Sequence, residues 1–415
     1  MLDNGLRVIT ATMPHARSAS ICVLVGVGSR YESKAKAGVS HFIEHLMFRG
    51  TPKRPTAREI SEAIEGLGGT LNAGTDKEMT GYWCKVAQPH FLQALDVLAD
   101  MLLHSQFAPQ DINKERQVIM EEINMIQDSP QQRVSLLVDE LLWPAHPLGH
   151  DIAGSKQSVA TITRGDILSY LKAHYLPANT VVSVAANIGH QEVVTAVRRV
   201  LGGWSRCKRR PGYIAYKEQP AERLRVETRD IEQAHLCLAL PGLSLFHPKR
   251  FTIGLLNAIL GEGMSSRLFS EIRDRLGLAY SIHSSVEHFL DSGSITIYAG
   301  VEPKNLSVAI RAILKQLDQL KETVSELELA KAKESSKGRL LLRMENNRNV
   351  AAWMGTQEIL VGRVLSVDQV MSIVSAITAD ELKQLAKELI LGSKLRLAVV
   401  SPASDYGPLE ELLKL

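Results

Sequence analysis

The sequence predicts an α+β protein made of two α/β units of similar plan. Two observations predict it. Short β-type runs alternate with helical periods along the whole chain, and the opening order of two strands followed by an apolar helix begins again after residue 221. The 415 residues also exceed one ordinary core, and a hydrophobic content of 45% is ample for two or three. The expected division is a first domain at 1–206, a linker at 207–221 and a second domain at 222–415. Within the linker, Cys207-Lys208-Arg209-Arg210-Pro211-Gly212 and Gln219-Pro220 lack any apolar period, and the basic cluster reads as a solvated connection.

In the first half, Leu6 to Thr12 and Ser20 to Val27 read as strands, the second a nearly continuous apolar run. Gly26, Gly28 and Gly38 bracket a polar loop, Ser29 to Lys36, ahead of an apolar helix that Gly50-Thr51-Pro52 stops. Thr56 to Leu67 is helical with an acidic outer face. Thr70 to Thr75 and Met79 to Ala87 are strands joined by Asp76-Lys77-Glu78. They form either an interior hairpin or a sheet edge, where the small residues at Asn72, Ala73 and Gly74 would let a foreign peptide pair with the backbone. Helices follow at Phe91 to His104 and Ile112 to Gln127, then a further helical stretch from Ser129 that ends in Pro144 to His150. Thr163 to His174 (helix), Thr180 to Ile188 (strand) and Gln191 to Leu201 (helix) close the half.

The apolar helix carries His41-Phe42-Ile43-Glu44-His45. Residues four apart share a helix face, so His41 and His45 aim their imidazoles at one point with Glu44 beside them. With 13 His and 45 acidic residues in the chain, such a His-x-x-acid-His pattern arises by chance roughly 0.04 times. The competing explanation is an ordinary core helix, since Val39, Phe42, Ile43, Leu46, Met47 and Phe48 are apolar. H-x-x-E-H is the inverted order of the zinc-peptidase helix motif.

On the later helix, Lys114, Gln117, Glu121, Asn124 and Asp128 trace a polar, solvated face. Glu115, Val118 and Glu122 recur on a different face, beside Ile119, Ile123 and Ile126, where an ionised carboxylate is costly unless paired or metal-bound. Glu122 is thus the better ligand candidate than Glu121, although Glu115 and Glu122 could equally flank the apolar stripe and meet basic side chains. His146 and His150 also stand four apart, but Pro147 and Gly149 between them prevent helical presentation, so they read as loop residues.

The second half repeats the plan. Leu224 to Thr228 and Ala234 to Leu240 are strands leading to an apolar helix, Thr252 to Leu260, a glycine-bearing turn and a charged helix, Arg267 to Leu276. Ala279 to Val286 and Ser294 to Gly300 are strands, Pro303 to Leu320 and Glu326 to Met354 are helices, and Leu395 to Val400 is a last strand. Gly261-Glu262-Gly263 lacks the lysine and hydroxyl of a nucleotide cradle. No second H-x-x-E-H occurs.

Composition narrows the function classes. A net charge of +3, 22% charged residues and 5% aromatics offer neither a strong field nor stacking platforms, so nucleic acid is not an expected partner. No run of 18 apolar residues and no basic-then-apolar leader occurs in the given chain, so neither a membrane partner nor export is expected. Cys22, Cys84, Cys207 and Cys237 are too scattered for a disulfide framework or a cysteine zinc site and suit a reducing compartment. The expected location is cytoplasmic.

His41-Phe42-Ile43-Glu44-His45 followed by Glu122 resembles the pitrilysin/insulinase-like zinc metallopeptidases, in the two-domain form of the β subunit of mitochondrial processing peptidase and bacterial homologues. Leu71-Asn72-Ala73, His146-Pro147-Leu148-Gly149 and Ser265-Ser266-Arg267-Leu268-Phe269 with Arg273 and Tyr280 extend the resemblance over essentially the whole chain. It implies two homologous α/β sandwich domains, each a mixed, largely antiparallel sheet covered by helices. It also implies one Zn²⁺ per chain on His41, His45 and Glu122, with the fourth position left to water. By the same resemblance, Glu44 is the general base toward that water, and Glu115 supports the metal ligands. Asn72, Ala73 and Gly74 pair with substrate as an added strand, while Arg273 and Tyr280 hold substrate and oxyanion. The implied reaction is endopeptidase cleavage of short unfolded oligopeptides in a chamber between the domains. Larger members place four such domains in one chain, so a two-domain chain is expected to pair, as a homodimer or as a heterodimer with a paralogue. The competing expectation is a non-catalytic structural or partner subunit of a processing-peptidase-like complex. Such chains typically lack part of the zinc set that is complete here.

Overall fold

Seven of the eight residues of the second strand, Ser18–Val25, are buried, which requires cover on both faces of its sheet. The computed structural model, which describes residues 1–205, 211–219, 221–403 and 409–413, provides it. The first-half elements are β1 (Arg7–Thr12), β2 (Ser18–Val25), α1 (Val39–Leu46), α2 (Ala57–Glu65), β3 (Thr70–Thr75), β4 (Thr80–Ala87), α3 (Phe91–His104), α4 (Pro109–Asp128), α5 (Pro130–Leu142), α6 (Lys156–Thr161), α7 (Arg164–His174), β5 (Thr180–Ala186) and α8 (His190–Leu201). The second half continues with β6 (Leu224–Thr228), β7 (Ala234–Pro241), α9 (Arg250–Leu260), β8 (Ala279–His288), β9 (Gly293–Val301), α10 (Leu306–Glu322), α11 (Glu326–Met344), α12 (Asn347–Leu360), α13 (Val367–Ala376), α14 (Ala379–Leu389), β10 (Arg396–Ser401) and α15 (Leu409–Leu412).

Two five-stranded sheets result, ordered β1-β5-β2-β4-β3 and β6-β10-β7-β9-β8. The two orders correspond strand for strand. In each sheet only the first pair is parallel, β1 with β5 and β6 with β10, and the remaining pairs are antiparallel. The fold is therefore α+β with two like domains, and each sheet is mixed but mostly antiparallel. β3 lies at one end of its sheet and pairs only with β4 among the described residues. The edge position applies, and the interior-hairpin alternative does not.

The compact units are not contiguous in sequence. One comprises Met1–Asn124, His150–Ile214 and Leu341–Leu365, and the other Met125–Gly149, Ala215–Leu340 and Ser366–Leu415. The halves expected at 1–206 and 222–415 thus exchange a helix each, and of the linker expected at 207–221, residues 207–210 with the basic side chains and residue 220 lie outside the described residues. In the first unit, Phe42, Ile43, Leu95, Leu98 and Ile119 pack on one face of the sheet through Ile21, Val23 and Val184. Helix α12 covers the other face, setting Ala351 and Ile359 against Cys22, Leu24, Val181 and Ala185. Polar bonds fix its register: Ser20 Oγ donates to Asn347 Oδ1 at 3.0 Å, and Ser183 Oγ to the Ala351 carbonyl at 2.7 Å. In the second unit, α5 plays the same part, with Val134, Leu137, Val138 and Leu141 against Cys237, Ala239, Ala398 and Val400.

The single helix expected over Glu326 to Met354 is in fact α11 and α12. Asn346 leaves helical dihedrals (φ −91°, ψ 116°) and its side chain accepts the Arg348 N–H at 3.0 Å. A short amide side chain that caps a following helix competes with continuing the preceding one. The charged stretch at Arg267 to Leu276 also departs from a regular helix. Phe269–Arg275 is wound as a π-helix, with the Leu276 N–H bonded to the Glu271 carbonyl at 3.0 Å. Among the described residues, no helix is long and apolar enough to cross a membrane.

Candidate metal centre

Helix α1 buries Val39, Phe42, Ile43 and Leu46 against the core. A 3.6-residue period then leaves His41, Glu44 and His45 together on the other face, each half-buried. Helix α4 buries Ile112, Glu115, Ile119 and Ile123. One step from Ile123, Glu122 is half-buried and turned to α1, whereas Glu121 is exposed and accepts a bond from Asn124 at 3.2 Å.

The three ligand candidates converge. His41 Nε2 and His45 Nε2 are 3.2 Å apart, and Glu122 Oε2 lies 3.7 Å and 3.6 Å from them. A tetrahedral ion with bonds of about 2.0–2.2 Å separates its ligand atoms by roughly 3.3–3.6 Å, so the triangle has the size such an ion needs. Among the described residues this is the one group of three or more His, Cys, Asp or Glu residues placed to hold a metal. Two imidazoles and one carboxylate suit Zn²⁺, and three protein ligands leave a coordination position open.

The surroundings support the same use. His45 Nδ1 bonds Glu115 Oε2 at 3.0 Å, which fixes the ring so that Nε2 faces the centre. Glu115 is buried, and its other oxygen is ion-paired with Arg49. His41 Nδ1 is buried and has no hydrogen-bond partner among the described atoms. Burial, with His45 adding to it, pushes His41 down to about 4, so its ring is neutral and its lone pair available near pH 7. Burial also pulls on His45, but the bond to Glu115 and the charges of Glu122, Glu115 and Glu44 outweigh it and raise that imidazole. Burial raises the Glu44 carboxyl, against the opposing pull of the Thr75 hydroxyl, which donates to Glu44 Oε2 at 2.6 Å.

Thr75 ends β3, the edge strand. Leu71, Ala73 and Thr75 point inward, and Asn72 and Gly74 point out; Asn72 Oδ1 accepts the Ala73 N–H at 2.8 Å. Arg273 and Tyr280 form a pair of their own in the second unit. The guanidinium of Arg273 lies 4.8 Å from the Phe269 ring and 5.3 Å from the Tyr280 ring, and Tyr280 is 78% exposed. In the His146 turn, Nδ1 accepts the Leu148 N–H at 3.2 Å, as suits a loop residue. Sequence reasoning missed Thr75 and Arg49. Period 2 along β3 places Thr75 on the face of Ala73, and Arg49 stands four residues beyond His45; both signals were present.

Comparison with known proteins sets this geometry in a lineage. Residues 7–156 match the insulinase family, peptidase family M16, and residues 161–336 match the peptidase M16 inactive domain. An uncharacterized zinc protease of Bacillus subtilis is 36% identical over 404 residues, covering 97% of this chain and 98% of the relative. The chain belongs to peptidase family M16. A Mycobacterium tuberculosis relative of this M16 chain, also named an uncharacterized zinc protease, is 35% identical over the whole chain and 95% of its own length. A Helicobacter pylori protease of known structure has the same fold, with a TM-score of 0.91 at 23% identity over 97% of this chain and 98% of that one.

Proposed function

We propose that this M16 chain is a zinc-dependent endopeptidase acting on short unfolded oligopeptides. The observation that carries the reading is the His41, His45 and Glu122 triangle with Glu44 at its side, held by Thr75. One Zn²⁺ per chain on those three ligands would supply Lewis acidity and make water nucleophilic near neutral pH. Glu44, held by Thr75, removes a proton from the attacking water and returns it to the leaving amine. Glu115 holds the His45 ring. The exposed edge of β3 at Asn72, Ala73 and Gly74 takes the substrate as an added strand, so affinity comes from backbone bonds with loose sequence preference. Arg273 and Tyr280, exposed donors, serve to hold the substrate and the developing oxyanion. The functional unit is a dimer, of two copies or of this chain with a paralogue. A structural subunit has no need of the complete set His41, Glu44, His45 and Glu122, and that set favours catalysis.

Zinc content together with cleavage of a fluorogenic peptide library, by the native chain and by Glu44→Gln, tests the reading. The native chain should hold zinc and cleave, and Glu44→Gln should hold zinc and lose at least a thousandfold in kcat. Zinc retained without any cleavage by the native chain would overturn it. Light scattering tests the dimer, which an active monomer would refute.

A further inference from the structure

The polar loop between β2 and α1 holds a buried carboxylate that none of the roles above uses. Glu32 is 4% exposed. Its Oε2 accepts the Gly38 N–H and its Oε1 the Ser40 N–H, each at 2.7 Å. These amides belong to the first turn of α1, the two-turn helix that carries His41, Glu44 and His45.

Helix α1 has no cap of its own. Its N-cap residue is Gly38, at φ +93°, and no side chain of that residue can serve the free amides. A Cβ there would come within 2.4 Å of the Ala153 carbonyl oxygen, so the position is confined to glycine and the cap must come from elsewhere. Glu32 supplies it from six residues upstream. The Ser40 hydroxyl, 2.7 Å from the Tyr170 hydroxyl, ties the same turn to α7.

The loop that carries Glu32 is itself anchored to the turn of the substrate-edge hairpin. The Ser29 and Arg30 N–H groups bond the Asp76 and Lys77 carbonyls at 3.3 Å and 2.8 Å. The fully buried Arg30 is ion-paired with the buried Glu78. Gly28 permits that approach, because a Cβ would fall 1.9 Å from the Asp76 oxygen. One rigid path therefore runs from the β3–β4 turn through Arg30 and Glu32 to the amides one and three residues before His41. The same end of β3 also meets Glu44, through Thr75, the residue before that turn.

We infer that Glu32 is a positioning residue that sets the placement of the metal-binding helix against the substrate-edge hairpin. The inference rests on the reading above for what the helix does. Burial raises the Glu32 carboxyl to about 8, with the Ser40 and Gly38 groups opposing that rise. The clamp is a matter of geometry, since each oxygen stands 2.7 Å from one amide nitrogen. Glu32→Gln keeps the size but turns an NH₂ donor against one of the two amides. Glu32→Asp keeps two acceptors but is a methylene too short to span both.

The test measures zinc affinity by chelator competition, thermal unfolding of the metal-free protein, and kcat and KM at saturating zinc. Expected for Glu32→Gln are zinc affinity weakened tenfold or more and a tenfold or greater loss in kcat with KM within twofold, because the edge strand is untouched. Glu32→Asp should fall between Gln and the native chain. A purely structural carboxylate would lower the unfolding temperature of the metal-free protein and leave zinc affinity and kcat of the folded protein at native values; that pattern overturns the inference. If Glu32→Gln does not fold, Glu32→Asp decides, with native zinc affinity overturning the clamp and a threefold or greater loss supporting it. A native chain that holds zinc but cleaves nothing defeats the peptidase reading, and the affinity ratios still judge the clamp.

Discussion

Glu115 Oε2 stands 3.0 Å from His45 Nδ1, and its other oxygen is ion-paired with Arg49. The buried carboxylate thus orients one imidazole with one oxygen, is held by Arg49 through the other, and is not itself among the converging ligands. Removing such an outer partner typically costs 10–100-fold in metal affinity. Glu115→Gln should therefore weaken zinc binding by about that factor in a chelator competition and leave the protein folded, because Arg49 is partly exposed and can turn to water. Unchanged affinity would show that the His45 ring is held by packing alone.

The choice between neighbouring carboxylates on α4 gives a sharper contrast. Glu122 Oε2 reaches both imidazoles within 3.7 Å, while Glu121, on the solvent side, accepts a bond from Asn124. Glu122→Gln should lose most of its zinc on dialysis, and Glu121→Gln should keep the native amount. The opposite ranking would refute the assignment of α4 faces.

That ranking was readable from sequence, as was most of the first unit, because periodicity reports which face of an element is wet. The polar row through Glu121 and the apolar row beside Glu122 place them before any coordinates do. The strands and helices around His41 were legible for the same reason. What sequence could not supply was long-range partnership. The exchange of α5 and α12 between sheets leaves no local trace, since an apolar helix stripe fits either sheet. The break at Asn346 looked like one more polar residue in a long helix, and its capping bond to Arg348 shows only in three dimensions. Glu32 was hidden likewise. A lone acidic residue in a polar loop reads as solvated until Gly38 is seen to leave α1 uncapped.

Thr75 and Glu44 test the proposed base without touching a metal ligand. The Thr75 hydroxyl donates to Glu44 Oε2 at 2.6 Å, which selects one orientation of the carboxylate. A hydrogen bond to a charged group contributes about 1.5 kcal/mol, or roughly tenfold in rate. Thr75→Val keeps the shape and β-branching of the strand residue and should lower kcat about tenfold with zinc content intact. Native kcat in this variant would mean that Glu44 is oriented by something else.

Arg267 and Glu328 carry a pH-dependent part of the second unit's stability. The guanidinium of Arg267 grips both carboxylate oxygens, at 2.7 Å and 2.9 Å, and with the Ser325 groups that cap α11 it lowers the Glu328 carboxyl to about 2 from an ordinary 4.5. The sign follows from proton linkage. A carboxyl whose folded-state value is depressed stabilises the fold fully above its unfolded value, and that contribution fades as pH falls from about 4.5 toward about 2. The side chain is about a third exposed, so water and salt screen part of the effect. Urea midpoints of the native chain and of Glu328→Gln should therefore differ most at pH 6 to 7, with the native chain the more resistant. The gap should narrow steadily between pH 4.5 and pH 3, and 0.5 M salt should reduce it at every pH. A gap that stays constant across that range would mean that Gln fails there through lost capping geometry, and that the charge pair with Arg267 adds nothing.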